Sequence, residues 1–152
     1  MRRVTNCILV NSTQDHVLLL QKPRRNWWVA PGGKMEPGET ILESVKREFR
    51  EETGITLLNP EVRGIFTILV EEADRVLDEW MLFTFYCDQY EGEHWPVSPE
   101  GKLAWVPIKE VAKLPKAEGD QLYFEHILEE NNKDVLILRF RYSSDYTLIA
   151  YE

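Results

Sequence analysis

Along the 152-residue chain, hydrophobic positions fall mostly into short β-type runs broken by turn-formers, with one strongly helical stretch before the middle. Residues 3–10 and 17–21 are apolar and rich in β-formers, and Asn11, Ser12, Thr13, Gln14 and Asp15 lie between them. This pattern predicts that the chain opens with a hairpin. A short strand over 27–30 stops at Pro31, Gly32 and Gly33. Residues 40–53 are helical in period, with Gly54 as the C-terminal stop. Further β-like runs cover 62–71, 79–88 and 103–107, helical patterns cover 109–114 and 120–131, and runs 135–142 and 146–151 predict a closing hairpin around Ser143, Ser144 and Asp145. No repeat, low-complexity tract or linker interrupts the order. Strands mixed with few helices predict an α+β fold, helices against a mixed sheet, in one domain over residues 1–152.

The helix at 40–53 departs from ordinary patterning. Thr40 with Glu43 three residues on is a capping box, and a Thr at that position is worth about 1 kcal/mol. At about 100° per residue, Ile41, Val45 and Phe49 share one side while Glu43, Lys46 and Arg50 share the other. Glu48 and Glu52 fall within the apolar sector and Glu51 lies on its edge. Two carboxylates at four-residue spacing with a third beside them repel by roughly 4 kcal/mol per close pair at an effective dielectric near 20. A cation must compensate. Arg47 and Arg50 are available, but a convergent set of oxygens is also what a hard divalent ion such as Mg²⁺ prefers, with waters and substrate phosphates completing its shell. Ahead of the helix, the glycines of the loop 30–39 allow close backbone approach, so the loop can offer a carbonyl to a metal and amides to phosphate.

Composition narrows the class. The chain is 43% hydrophobic and 29% charged, and 26 acidic against 18 basic residues give a formal net charge of -8. That balance argues against a basic face for a nucleic-acid polymer and leaves small phosphorylated substrates open. No apolar run approaches the ~20 residues of a membrane span and no signal segment begins the chain, so the expectation is a cytoplasmic protein without a membrane partner. Cys7 and Cys87 lack the spacing of a zinc site or a disulfide framework and read as buried, inert thiols. His16, His94 and His126 define no nucleophile–base pair.

Gly33, Glu39, Arg47, Glu48, Phe49, Glu51, Glu52, Gly54 and Ile55 together resemble the Nudix signature, with all nine specified positions in place and Phe49 where Leu is commoner. The strand order around it is similar to the Nudix fold, an α/β/α sandwich with a mixed sheet. The resemblance implies hydrolysis of a nucleotide's diphosphate linkage with Mg²⁺, or Mn²⁺, as cofactor. Glu48, Glu51 and Glu52 would be metal ligands with the Gly32 carbonyl. Glu39 would hydrogen-bond within the cluster, and Arg47 would orient the glutamates by salt bridges.

The rest of the chain is similar to MutT-type members, which include enzymes acting on oxidised purine nucleoside triphosphates. Residues 17–22 match a strand whose final basic residue, Lys22, reaches phosphate. Residues 97–100 before Ala104, Trp105 and Val106 match a loop bearing a further catalytic or metal-binding acid, which makes Glu100 a candidate. Gly119 and Asp120 before Tyr123 and Phe124 match a base-recognising acidic pair of which only the second acid is present. Val29 and Ala117 stand where relatives carry a base-reading Asn and a stacking Trp. Asn6 and Asp120 are left to read a base edge, Trp28 or Trp27 to stack on it, and Gly33 and Lys34 to meet the phosphates.

The resemblance implies a nucleoside triphosphate diphosphatase, with 8-oxo-dGTP the favoured substrate and nucleoside monophosphate plus pyrophosphate as products. Two alternatives stay open. One is hydrolysis of another nucleoside diphosphate derivative: a dinucleoside polyphosphate, a triphosphorylated RNA end, or ADP-ribose, for which Glu71 stands roughly where a proline is often found. The other is a non-catalytic nucleotide-binding regulator, which would usually have lost box glutamates. A small nucleotide is the expected partner, with no stable nucleic-acid partner, and both a monomer and a homodimer are open.

Overall fold

The computed structural model describes residues 1–129 and 133–152. In chain order the strands and first helix are β1 (Arg2–Leu9), β2 (His16–Gln21), β3 (Trp28–Val29), β4 (Gly32–Lys34), α1 (Ile41–Thr53), β5 (Thr56–Leu57), β6 (Glu61–Glu72), β7 (Arg75–Cys87) and β8 (Tyr90–Glu91). Then follow β9 (Val97–Ser98), β10 (Gly101–Pro107), a 3₁₀ segment (Ile108–Lys113), α2 (Glu118–Leu128), β11 (Leu136–Ser143) and β12 (Leu148–Tyr151).

A six-stranded mixed sheet runs β12-β11-β6-β7-β1-β4, with β1 parallel to β7 and β11 parallel to β6. A four-stranded antiparallel sheet runs β3-β2-β10-β9, and β5 pairs with β8. The closing hairpin forms as expected, β11 against β12. The opening hairpin does not. β1 pairs with β4 and β7, β2 pairs with β3 and β10, and the two touch only through the bridge Val10↔Val17.

The apolar runs explain the difference. Cys7 and Leu9 join one core with Leu18, Leu20, Val45 and Phe49, while Ile8 and Val10 join the other with Val17, Leu19, Phe66, Tyr123 and Phe124. Both strands are buried on two faces, as a continuous hydrophobic run requires, and a two-stranded hairpin cannot cover both. Each strand is instead interior to its own sheet. The first of these cores contains α1 residues and the other contains α2 residues, which gives the α/β/α layering.

Local chemistry sets the element ends. Glu43 N–H donates to Thr40 Oγ1 at 3.1 Å and Thr40 N–H to Glu43 Oε1 at 2.9 Å, closing the capping box. Gly54 ends α1 at φ 84°, its N–H donating to Arg50 O. Ala73 and Asp74, both at positive φ, turn β6 into β7, which makes those strands longer than their apolar runs. Expected helix 109–114 is a 3₁₀ segment. Helix α2 starts at Glu118 and ends at Leu128, while positions 130 and 131 of the expected 120–131 helix lie outside the described residues. No described helix is long and apolar enough to cross a membrane.

Candidate active site

Two elements bring the site together. Strand β4 lies antiparallel to β1 with Asn6 opposite Gly32, Thr5 opposite Gly33 and Val4 opposite Lys34. Helix α1 packs on β4 and β1, pinned by a buried 2.9 Å contact between the Thr5 and Ser44 hydroxyls. A side chain at either β4 glycine would intrude on the site, at Gly32 against backbone and at Gly33 against a glutamate carboxylate. A Cβ on Gly32 would stand 2.0 Å from Thr5 O and 2.6 Å from Asn6 Cα, and one on Gly33 would stand 2.2 Å from Glu48 Oε2.

Arg47 is the hub of the acid cluster. It donates to Glu39 through Nε at 2.6 Å and Nη2 at 2.9 Å, to Glu48 through Nη1 at 2.8 Å, and to Glu51 through Nη1 at 3.1 Å. Nη2 also holds the Lys34 carbonyl at 3.0 Å, tying helix to loop. These bonds, with the Glu36 amide, draw the Glu39 carboxyl down to about 2 and push Arg47 upward. The guanidinium therefore supplies part of the compensating charge. Glu51, 58% exposed, turns outward to meet it. Among the described residues no three His, Cys, Asp or Glu side chains already converge as a metal-holding group.

Glu52 lies on the inner side, buried at 8% exposure, with Oε2 accepting from the Gly32 amide at 3.1 Å. Burial pushes its carboxyl up to about 7, helped by Glu100 and Glu48 and opposed by the Gly32 amide and Lys22. Lys22 Nζ is 3.6 Å from Glu100 Oε2, which places Lys22 and Glu100 at the same cluster. Four carboxylates, Glu39, Glu48, Glu51 and Glu52, thus share one guanidinium and one nearby ammonium. The donors are hard oxygens, and a buried carboxyl lifted toward neutrality has a place for a cation, so the set fits a divalent ion.

Beyond Gly32 the surroundings change. Asn6 is 7% exposed, its Nδ2 donating to the Tyr123 hydroxyl at 3.2 Å, and its Oδ1 has no partner among the described residues. Asp120, on the first turn of α2, is half-buried, and burial raises its carboxyl to about 7 while Tyr123 and Lys116 oppose the rise. Trp28 is half-buried against the α2-side core, its backbone N–H donating to Pro115 O at 2.9 Å. Trp27 is engaged elsewhere, its ring edge-on to Tyr146 with the Arg25 guanidinium 5.0 Å from its centroid. Lys34 is exposed at the end of β4. Tyr123 escaped the sequence reading because a tyrosine in a helix reads as packing, and only the fold sets its hydroxyl against Asn6. A cavity of about 1190 Å³, lined by residues including Val10, His16, Arg63 and Asp88, lies toward the C-terminal ends of β1 and β7 and contains none of the box glutamates.

The NUDIX domain profile matches residues 1–127. The chain belongs to the Nudix family. It is 48% identical over 153 residues to the "Uncharacterized Nudix hydrolase YvcI" of Bacillus subtilis, covering 99% of this chain and 93% of that protein. Its fold is similar to the crystal structure of a MutT protein from Bacillus halodurans, with TM-score 0.95 and 53% identity over 100% of this chain and 97% of that one. A shorter match, 49% identical over 61 residues, joins 35% of this chain to 19% of the human 8-oxo-dGDP phosphatase NUDT18. The chain is therefore a MutT-type Nudix hydrolase acting on pyrophosphate bonds, in a family whose members use divalent ions and small nucleotide substrates.

Proposed function

We propose that this Nudix hydrolase is a Mg²⁺-dependent nucleoside triphosphate diphosphatase acting on purine nucleotides, 8-oxo-dGTP foremost. The observation that carries the reading is the junction at Gly32. On one side its amide anchors the buried Glu52 carboxylate, and on the other its missing side chain lets Asn6, whose Oδ1 is unpaired among the described residues, lie against it. A polyphosphate held at the acid cluster would thus have its base within reach of the Asn6–Tyr123–Asp120 group.

Glu48 and Glu52, with the Gly32 carbonyl and Glu51 once it leaves Arg47, are the residues to hold the cation. When bound, that ion supplies charge neutralisation on the polyphosphate and acidifies the attacking water. Arg47 keeps the glutamates in place, and Lys22 exchanges Glu100 for a phosphate oxygen. Water oxygen adds to the β-phosphorus, the bond from that phosphorus to the α–β bridging oxygen breaks, and nucleoside monophosphate leaves, with pyrophosphate as the other product. Glu51 and Glu100 flank the cluster as the acids available to take the water's proton, and pH–rate profiles of Glu51→Gln and Glu100→Gln distinguish them.

A panel of 8-oxo-dGTP, dGTP, dATP, ADP-ribose and a dinucleoside polyphosphate, assayed with Mg²⁺, tests the reading. It expects purine triphosphates to give monophosphate and pyrophosphate, and a preference for ADP-ribose or a dinucleoside polyphosphate would overturn it. The name of the human relative supports a second reading, an oxidised guanosine diphosphate as substrate, recognised in the same panel by release of orthophosphate from 8-oxo-dGDP.

A further inference from the structure

The six-stranded sheet is covered unequally. On one face α2 packs against β6, β11 and β12, over a core that includes Phe66, Ile68 and Phe140. On the other face α1 packs on β1 and β4, and along β7 the α1-side core extends outward only as far as Phe83. Beyond Phe83 the register sets three rows across β11, β6 and β7: Ile137, Ile65 and Phe83, then Arg139, Thr67 and Met81, then Arg141, Leu69 and Glu79. A sheet face left to water normally carries polar residues at these alternate positions. Here Ile65, Leu69 and Met81 are partly exposed, Ile137 is 69% exposed, and none of the four packs against either core. An apolar strip rimmed by charge marks a contact with another macromolecule.

The rim indicates which one. Arg139 holds Glu152 at 2.7 Å and Arg141 holds Glu71 at 2.8 Å, while neither Arg3 nor Glu79 has an ion pair among the described residues. Taking β6 as the centre line, β11 and β7 lie one strand to either side, and β12 and β1 lie two strands away. A second copy turned about a twofold axis along β6 and laid face to face sets β7 on the partner's β11, β1 on the partner's β12, and β6 on its own counterpart. Glu79 then meets the partner's Arg141, Phe83 meets the partner's Ile137, and Leu69 meets its own equivalent. Arg3 is level with Met81, Thr67, Arg139 and Glu152 across the sheet, so it meets the partner's Glu152. Both charges without an ion pair are answered by the same operation. Glu71, which comes near its own equivalent, brings Arg141 of its own chain with it. Five strands about 4.8 Å apart by four rows about 7 Å apart give a footprint of roughly 25 by 25 Å. With side-chain relief added, that is of the order of the ~800 Å² per partner that a stable pair buries.

We propose that this half-covered sheet face is the interface of a homodimer, two copies packed face to face about a twofold axis along β6. Its apolar centre supplies the burial, and the Arg3–Glu152 and Glu79–Arg141 contacts between copies set the register. The inference stands apart from the nucleotide reading, and no step of hydrolysis depends on it.

Sedimentation velocity and light scattering on the full chain at micromolar to millimolar concentrations test it, with circular dichroism as the check on the fold. Wild type is expected to be a dimer. Ile137→Asp sets a charge against the partner's Phe83 at a position the single chain leaves exposed, and is expected to raise the dissociation constant at least about 30-fold while staying folded. Arg3→Glu and Glu152→Lys are each expected to weaken self-association. Mixed together they are expected to pair with each other in preference to themselves, because each supplies the charge the other lacks. A wild type that stays monomeric, which would leave the face to a different protein, overturns the proposal. So does a dimer that Ile137→Asp leaves as tight as wild type, or one whose two charge variants mix at random. Should Ile137→Asp fail to fold, the mixing decides.

Discussion

Glu52 serves the fold and the chemistry in opposite ways, and one substitution separates them. Glu52→Gln keeps an acceptor for the Gly32 amide and removes the buried charge, so it is expected to lower turnover by on the order of 10² to 10⁴ while leaving the fold intact. The same change alters stability with pH. The carboxyl stands at about 7 in the fold against an ordinary value of 4.5, so the fold favours the neutral form. Stability from Glu52 is full below about 4.5 and is lost as pH rises through about 7, by roughly 3 kcal/mol in the metal-free protein. Denaturant unfolding from pH 4.5 to 8 should show wild type falling relative to Glu52→Gln, and parallel curves would contradict the assignment. Gly33→Ala tests the other wall of the site. Its Cβ meets only the movable end of Glu48, so stability should change little while activity falls with the displaced carboxylate. The box glutamates were legible in the sequence because helical geometry alone sets Glu48 and Glu52 among apolar positions. Arg47 was one of two arginines the pattern offered them, its orienting role came from the resemblance, and the outward turn of Glu51 was not legible, since a rotamer choice between arginine and a cleft leaves no trace in spacing.

At the scale of elements, α1 is the part its residues specify most completely. Thr40, Glu43 and Gly54 mark both ends, and the structure places the caps where the pattern does. Gly54→Ala is expected to cost at least about 1–2 kcal/mol, since φ 84° suits glycine and a Cβ would stand 2.5 Å from Trp95 Nε1. Thermal unfolding checks it, and a neutral effect would remove the cap from the account. Strands β5, β8 and β9 were not legible because each has only two residues, too few to show an alternation. The opening runs were read as strands correctly and paired wrongly. A turn-rich connection favours a hairpin locally, but burial of Cys7 through Val10 and Val17 through Leu20 on both faces overrides it. The 3₁₀ segment at Ile108–Lys113 has a helical pattern too short to hold an α-helix open at both ends.

For the whole molecule, the net charge of -8 has a local meaning, because four of its carboxylates gather beside α1, three of them on Arg47. A divalent ion that binds the folded cluster and not the unfolded chain stabilises the protein by about 2.7 kcal/mol at 100 times its dissociation constant. For a chain of this length that is a rise in Tm of roughly 5–11 °C. Glu52→Gln should lose most of the rise, and an equal rise in both proteins would place the ion elsewhere. The α/β/α layering was legible through the family resemblance rather than from periodicity. Membership in a mixed sheet depends on long-range pairings such as β1 with β7 and β6 with β11, which no local pattern encodes.

The central claim, that the acid cluster directs water to the β-phosphorus of a purine nucleoside triphosphate, is tested most directly by turning over 8-oxo-dGTP with Mg²⁺ in ¹⁸O-labelled water and weighing both products. The account predicts 8-oxo-dGMP without label and pyrophosphate carrying one ¹⁸O. Label in the monophosphate, or release of orthophosphate in place of pyrophosphate, would contradict it.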